Sequence, residues 1–199
     1  DNALDIGTGS GIIPLILSQK GIASVDAVEL DADSCEEARQ NFEISMWKEK
    51  LKIYNDDVRV FSDNVNKKYD LIVSNPPFYA SDVKPIRDKK VMARHVSTLS
   101  FNDLLCSAKK MMKEDSRFAV VLPFYESRLF IKEAEYLGFH LQKEMQIIPI
   151  EGKDANRVNM QFVLNEVDEV ETELFTIRNK DYSYTDDYKI FLKDYYLDF

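Results

Sequence analysis

The chain has 199 residues, 45% of them hydrophobic and 31% charged, which is room for one domain with a proper core and an ordinary composition for a soluble globular protein. A net charge of −9 excludes a generally cationic surface, so any contact with a nucleic acid has to be local. No unbroken apolar run is long enough to span a membrane, and no signal-peptide pattern stands at the start.

The opening, "DNALDIGTGSG", reads as the interior of a fold, with an N-terminal segment ahead of it missing. "ALDIG" has the character of a strand, and "SGIIPLILSQKG" that of a helix, with Pro14 tolerated in the first turns and Gly21 as the stop. "SVDAVELD" predicts a second strand. Ser34 and Glu37 predict a capping box for a helix with Cys35, Ala38 and Phe42 on one face. "LKIYNDDV" predicts a third strand and "YDLIVSN" a fourth, the latter apolar through its middle as a buried parallel strand is. Ser100 with Asp103 opens the next helix, "RFAVVLP" follows as strand five, and "ESRLFIKEAEYLG" as a helix closed by Gly138. "FHLQKEMQIIPI" and "RVNMQFVLNE" then read as two strands with no helix between them. Cys35 and Cys106 fall in helix-like segments without metal-ligand spacing, which predicts buried, reduced thiols in a cytoplasmic protein and no metal site.

This order predicts a three-layer α/β fold with a mostly parallel sheet and an antiparallel end. Ligands of such sheets gather at the carboxyl ends of the strands. After strand one stands Gly7-Thr8-Gly9-Ser10-Gly11, a turn that lets a ligand approach backbone N–H groups at a helix start. Ile12 occupies the place where a dinucleotide fingerprint wants its third glycine, which weakens a nicotinamide or flavin reading. Glu29, ending strand two, can accept hydrogen bonds from both hydroxyls of a ribose, or it can serve the positive end of the next helix, as Asp31 and Asp33 do. After strand three, Asp56 or Asp57 can receive an adenine amino group, Asp57 being favoured by register over the alternative of a solvated acidic turn. "SNPPFY", residues 74–79, ends strand four: Pro76 and Pro77 stop the ladder and leave a stiff turn with Asn75 at the tip.

Glycine turn, strand-two acid, strand-three acid and NPPF together resemble class I S-adenosyl-L-methionine-dependent methyltransferases that modify amino groups on planar, conjugated atoms. The match of "VSNPPFY", "ARH" at 93–95, "VVLP" and the ending "TIRNKDYSYTDDYKIFLKDYY" narrows the resemblance, over nearly the whole chain, to the bacterial tRNA adenine-N6 methyltransferases that act on adenine 37 of tRNA1(Val). The resemblance implies a Rossmann-like fold in a single domain, 1–199, with a seven-stranded sheet ending in an antiparallel hairpin. It implies that Asp5, Gly7, Gly9, Gly11, Glu29, Asp57 and Asn75 line the S-adenosyl-L-methionine site. Asn75, Pro76, Pro77 and Phe78 would form the catalytic turn: the Asn75 side-chain oxygen and the Pro76 carbonyl accept the two amino hydrogens, and Phe78 stacks on the base. Lys84, Arg87, Lys89, Lys90, Arg94 and His95 form a basic segment just past that turn, either a local RNA contact or a solvated loop. Tyr184, Tyr188, Phe191 and Tyr195 recur at helical spacing, which predicts packing against the sheet in preference to a stacking platform. Set against tRNA methylation are a glutamine methyltransferase acting on a translation factor and an idle, cofactor-binding RNA module.

Overall fold

The computed structural model describes residues 1–76 and 99–196. Its elements, in chain order, are β1 (Asn2–Ile6), α1 (Ile12–Gln19), β2 (Ser24–Glu29), α2 (Ala32–Ile44), a single 3-10 turn (Lys48–Lys50), β3 (Leu51–Asn55), α3 (Val58–Asn64), β4 (Tyr69–Ser74), α4 (Phe101–Met111), β5 (Met112–Pro123), α5 (Phe124–Tyr136), β6 (His140–Ile150), β7 (Arg157–Val163), β8 (Glu171–Arg178) and α6 (Asp186–Leu192). The strands make one sheet in the order β3-β2-β1-β4-β5-β7-β6-β8. The first five are parallel, β7 is antiparallel to both β5 and β6, and β8 pairs parallel to β6.

Period-two alternation divides the core between the two faces of the sheet. Ala3, Val25, Ala27 and Leu51 face α1 and α2, where they meet Ala38 and Phe42. Leu4, Ile6, Val28 and Ile72 point the other way, into a larger core with Phe61 of α3, Leu104 and Met111 of α4, and Phe130 of α5. Asp26, the polar residue in the β2 alternation, is buried on that second side and accepts hydrogen bonds from the Tyr69 hydroxyl (2.7 Å) and the Lys67 ammonium (2.9 Å).

The α/β class and the antiparallel β6–β7 hairpin are as the sequence predicts; three local expectations are corrected. The sheet has eight strands, not seven, because β8 adds on at the β6 edge. Its "ETELFTIR" is largely exposed and lacks the apolar run that marks an interior strand. The cap of α2 is Asp31, whose carboxylate accepts from the Ser34 N–H at 2.8 Å, not a Ser34–Glu37 box. An aspartate three residues earlier satisfies the same orphan donors and starts the helix sooner. The stretch after β3 turns into helix α3 at Asp57, a short element that "NDDV" masks. Ser100 does cap α4, accepting from the Asp103 N–H at 3.0 Å. Both cysteines are free; Cys35 is buried and Cys106 is only half-buried.

The glycine turn joins β1 to α1, and Gly11 is the N-cap of α1 at φ 84°. A Cβ there would meet the Phe42 ring at 2.5 Å and the Ala38 methyl at 3.2 Å, so the turn, α1 and α2 pack together only around a bare Cα. Gly11→Ala combines a left-handed backbone with a clash and is expected to destabilise the fold by about 1–3 kcal/mol. Urea denaturation of the two proteins checks this; an unchanged midpoint refutes it.

Candidate active site

The carboxyl ends of β1, β2 and β4 lie side by side on one edge of the sheet. After Ile6 the chain leaves β1, and the Gly7 N–H donates to the Val28 carbonyl at 2.9 Å, so the turn begins stitched to the tip of β2. At that tip the Glu29 carboxylate accepts from the Gly9 N–H and, with its other oxygen, from the Asp31 N–H, both at 2.9 Å. An ionised carboxylate has about four acceptor positions, so two remain for hydroxyl donors. The Asn55 side-chain amide, at the end of β3, donates to the Glu29 and Leu30 carbonyls (2.9 and 3.1 Å) and stiffens the same tip. Asn41 of α2 donates to the Ser10 carbonyl at 2.9 Å and buttresses the turn from behind. Sequence reasoning missed both amides, because their partners lie 25 to 31 residues away.

Asp5 is fully buried in β1, and neither of its carboxylate oxygens finds a hydrogen-bond partner; the buried Thr8 hydroxyl has none either. Burial is the main influence on Asp5 and pushes its carboxyl up to about 7; the nearby Thr8 hydroxyl opposes this from outside hydrogen-bond geometry, and the Glu29 charge adds to it. Such an orphan is costly in a folded core. It stands directly before a turn where Cβ atoms on Gly7 and Gly9 would meet nothing within 4 Å. Open space above the main chain, an unsatisfied acid below it and a pinned carboxylate beside it fit a ligand that carries hydroxyls and a positive charge.

Asp57 is placed differently from a free acceptor. It caps α3, accepting from the Arg59 N–H at 2.9 Å, and pairs with the Arg59 guanidinium, which is the first cause holding its carboxyl below the usual range. Arg59 also reaches Asp103 of α4 at 3.6 Å. An amino group arriving at Asp57 shares the carboxylate with Arg59.

At the tip of β4, Ser74 pairs with Ile6, and its buried hydroxyl donates to the Ile6 carbonyl at 2.9 Å. Asn75 is the next residue, exposed, and stands one strand over from Gly7; Pro76 is buried behind it. The structure therefore brings Asn75, the glycine turn and Glu29 to one edge. Pro77, Phe78 and the basic residues Lys84, Arg87, Lys89, Lys90, Arg94 and His95 lie outside the described residues. Among the described residues no cluster of His, Cys, Asp and Glu could hold a metal ion, and no helix is long and apolar enough to cross a membrane. A separate hollow lined by Met145, Asn159, Gln161 and Phe191 lies on the face of the sheet and touches none of these site residues.

A glycine turn after β1 and an acid ending β2, at the carboxyl edge of a mostly parallel α/β sheet that carries the antiparallel β6–β7 hairpin, define a class I methyltransferase. The fold agrees: a predicted O-methyltransferase of Agrobacterium tumefaciens superimposes with a TM-score of 0.70 at 15% identity, covering 97% of this chain and 86% of that one. A glycopeptide N-methyltransferase solved in complex with S-adenosyl-L-methionine gives 0.61 at 11% identity, covering 82% and 87%. Residues 1–124 match the model of the methyltransferase small domain family. A curated tRNA1(Val) (adenine(37)-N6)-methyltransferase of Trichodesmium erythraeum is 36% identical over 99% of this chain and 83% of its own length. One of Proteus mirabilis is 33% identical over 98% and 79%. The chain belongs to the methyltransferase small domain family and, within it, to the tRNA1(Val) (adenine(37)-N6)-methyltransferases.

The buried acid yields a pH dependence. The folded protein holds the Asp5 proton more tightly than the unfolded chain, whose carboxyl titrates near 3.8. The stability this residue contributes is therefore present below the unfolded value and is lost as pH rises through about 7. In cofactor-free protein, Asp5→Asn is expected to flatten the fall in melting temperature between about pH 5 and about pH 8 relative to the parent. Parallel melting curves across that range would refute the assignment.

Proposed function

We infer that this protein transfers the methyl group of S-adenosyl-L-methionine to the exocyclic N6 of an adenine in tRNA, adenine 37 of tRNA1(Val), in the cytoplasm. The observation that carries the reading is the placement of Asn75 beside the glycine turn, on the edge where Glu29 is pinned. Bound, the cofactor supplies a methyl group already activated on a sulfonium. Glu29, with acceptor positions left over from Gly9 and Asp31, holds the ribose hydroxyls. Asp5 offers its unsatisfied carboxylate toward the positively charged methionine end, and Asp57 takes the adenine amino group in competition with Arg59. The bare Gly7 and Gly9 let the ligand lie against the backbone.

The remaining work is alignment. The lone pair of an exocyclic adenine nitrogen is delocalised into the ring, which makes it a poor nucleophile. Two acceptors, the Asn75 side-chain oxygen and the Pro76 carbonyl, draw the amino hydrogens out of the plane and direct the lone pair toward the methyl carbon. Pro76 stiffens the turn that carries both acceptors, so little reorganisation is needed when the base arrives. The nitrogen becomes acidic once methylated and sheds its proton, and no general base is required in the transfer step. The curated relatives' substrate, a tRNA adenine, favours this reading over a glutamine side chain of a translation factor.

Labelled cofactor with unmodified tRNA in one reaction and protein extract in another tests the substrate class: label in the tRNA is expected, and label confined to protein refutes it. Within the site, Asn75→Ala is expected to lower turnover by about 100-fold or more with cofactor affinity nearly unchanged. Glu29→Ala is expected to do the reverse, weakening cofactor binding by about 10-fold or more through lost carboxylate hydrogen bonds. Calorimetric cofactor titration beside single-turnover methylation separates the two; matching losses in both quantities for Asn75→Ala would overturn its role.

A further inference from the structure

We propose that Tyr182 is an RNA-stacking residue, holding a base of the tRNA at a second point on the carboxyl edge of the sheet, well away from Asn75. The proposal rests on the tRNA reading above.

Among the described residues Tyr182 is the single non-glycine residue with positive φ, at 68°. It occupies the last position of a tight turn: its N–H donates to the Asn179 carbonyl at 3.0 Å, and the Asn179 N–H donates to the Ser183 carbonyl at 2.9 Å. That position takes glycine or asparagine at little cost and an aromatic residue at a real one. Burial does not offset the cost, because the Tyr182 side chain is 66% exposed. The turn itself is rigid. Asp181 accepts from the Ser183 N–H and hydroxyl (3.0 and 2.6 Å), the Asn179 side-chain amide donates to the Ser183 hydroxyl at 3.0 Å, and the Arg178 guanidinium donates to the Tyr182 carbonyl. A strained, exposed and firmly held aromatic is unexplained by packing and suits a flat ligand.

Sheet topology says which ligand. β5 is parallel to β4, β7 reverses, β6 reverses again and β8 runs with β6, so the Arg178 end of β8 lies on the same edge as Asn75. Four strand spacings separate them across the sheet, and the register aligns Ser74 with Thr172, so Arg178 also stands six residues further along the strand direction. Together these put the two on the order of 25 to 30 Å apart, too far for the target base itself and within reach of nucleotides further along the same RNA. Beside Tyr182, the Arg178 guanidinium lies 4.0 Å over the Tyr184 ring, which stacks on Tyr188 at 4.9 Å and 11°. Lys180, at the turn, is an exposed cation 3.8 Å from Glu151. An exposed ring held on a firm turn is a platform on which any base of a single strand can stack. In a chain of net charge −9, a stacking contact also supplies affinity that a basic surface does not.

Binding of a fluorescent full-length tRNA, followed by anisotropy, tests the proposal. Tyr182→Gly relieves the backbone and removes the ring, so its melting temperature is expected to equal or exceed the parent's while tRNA binding weakens by about 5- to 100-fold. Tyr182→Asn, which tolerates the same backbone, is expected to show the same loss, and Tyr182→Phe to bind as the parent does. Cofactor affinity stays constant in all three. Parent-like tRNA binding by the glycine and asparagine variants overturns the proposal while leaving the substrate reading intact; absence of tRNA binding by the parent protein itself overturns both.

Discussion

The grip of two backbone amides, Gly9 and Asp31, on the carboxylate of Glu29 is the contact on which the rest of the site depends. It joins the turn after β1 to the tip of β2, so the open side of the glycine turn and the free acceptor positions of the acid face the same space. The Ser74 hydroxyl on the Ile6 carbonyl does the equivalent work between β4 and β1 and thereby delivers Asn75 to the same edge. Charge-assisted bonds from amides to a carboxylate are stronger than neutral ones. They also require no side-chain rotamer to be frozen on the donor's side.

Two buried aspartates show where the fold serves stability and where it serves the ligand. Asp26 in β2 is paired, through one carboxylate oxygen, with Lys67 and with the Tyr69 hydroxyl, which burial and that contact push well above the usual phenol range. Asp5 in the neighbouring strand, equally buried, has no partner. A chain selected for stability alone would have filled that position with an apolar residue or given the carboxylate a donor. Its isolation directly beneath the glycine turn is the kind of local inconsistency expected where a ligand completes the structure. Tyr182 is a second break of rule at the surface, on the same edge of the sheet.

Much of the architecture was legible because it follows from near neighbours. Apolar strand-length runs marked β1, β2, β4 and β5, Ser100 and Asp103 marked the start of α4, and the glycines marked the turn after β1. The elements that escaped notice lack such signals. Helix α3 is short and its cap, Asp57, stands in a run that also reads as a strand end. Strand β8 is solvated along much of its length and exists because β6 offers an edge. The spacing of Tyr184, Tyr188, Phe191 and Tyr195 predicts one helical stripe, yet α6 spans only Asp186–Leu192. Tyr188 and Phe191 do meet Phe175 of β8, whereas Tyr184 stacks before the helix begins and Tyr195, beyond it, meets Lys20.

The sequence by itself determined the class of fold, the order of its main elements and the glycine turn after β1, because periodicity, proline, glycine and capping residues act over a few positions along the chain. Only the tertiary structure decided that Asp57 is shared with Arg59, that Asp5 has no donor, that Asn41 and Asn55 brace the glycine turn and the tip of β2, and that β8 runs parallel to β4, so that Tyr182 follows its carboxyl end. Those outcomes depend on which strands pair and which groups lose water together. Both are settled by contacts between segments far apart in the chain, whose energies no local pattern records.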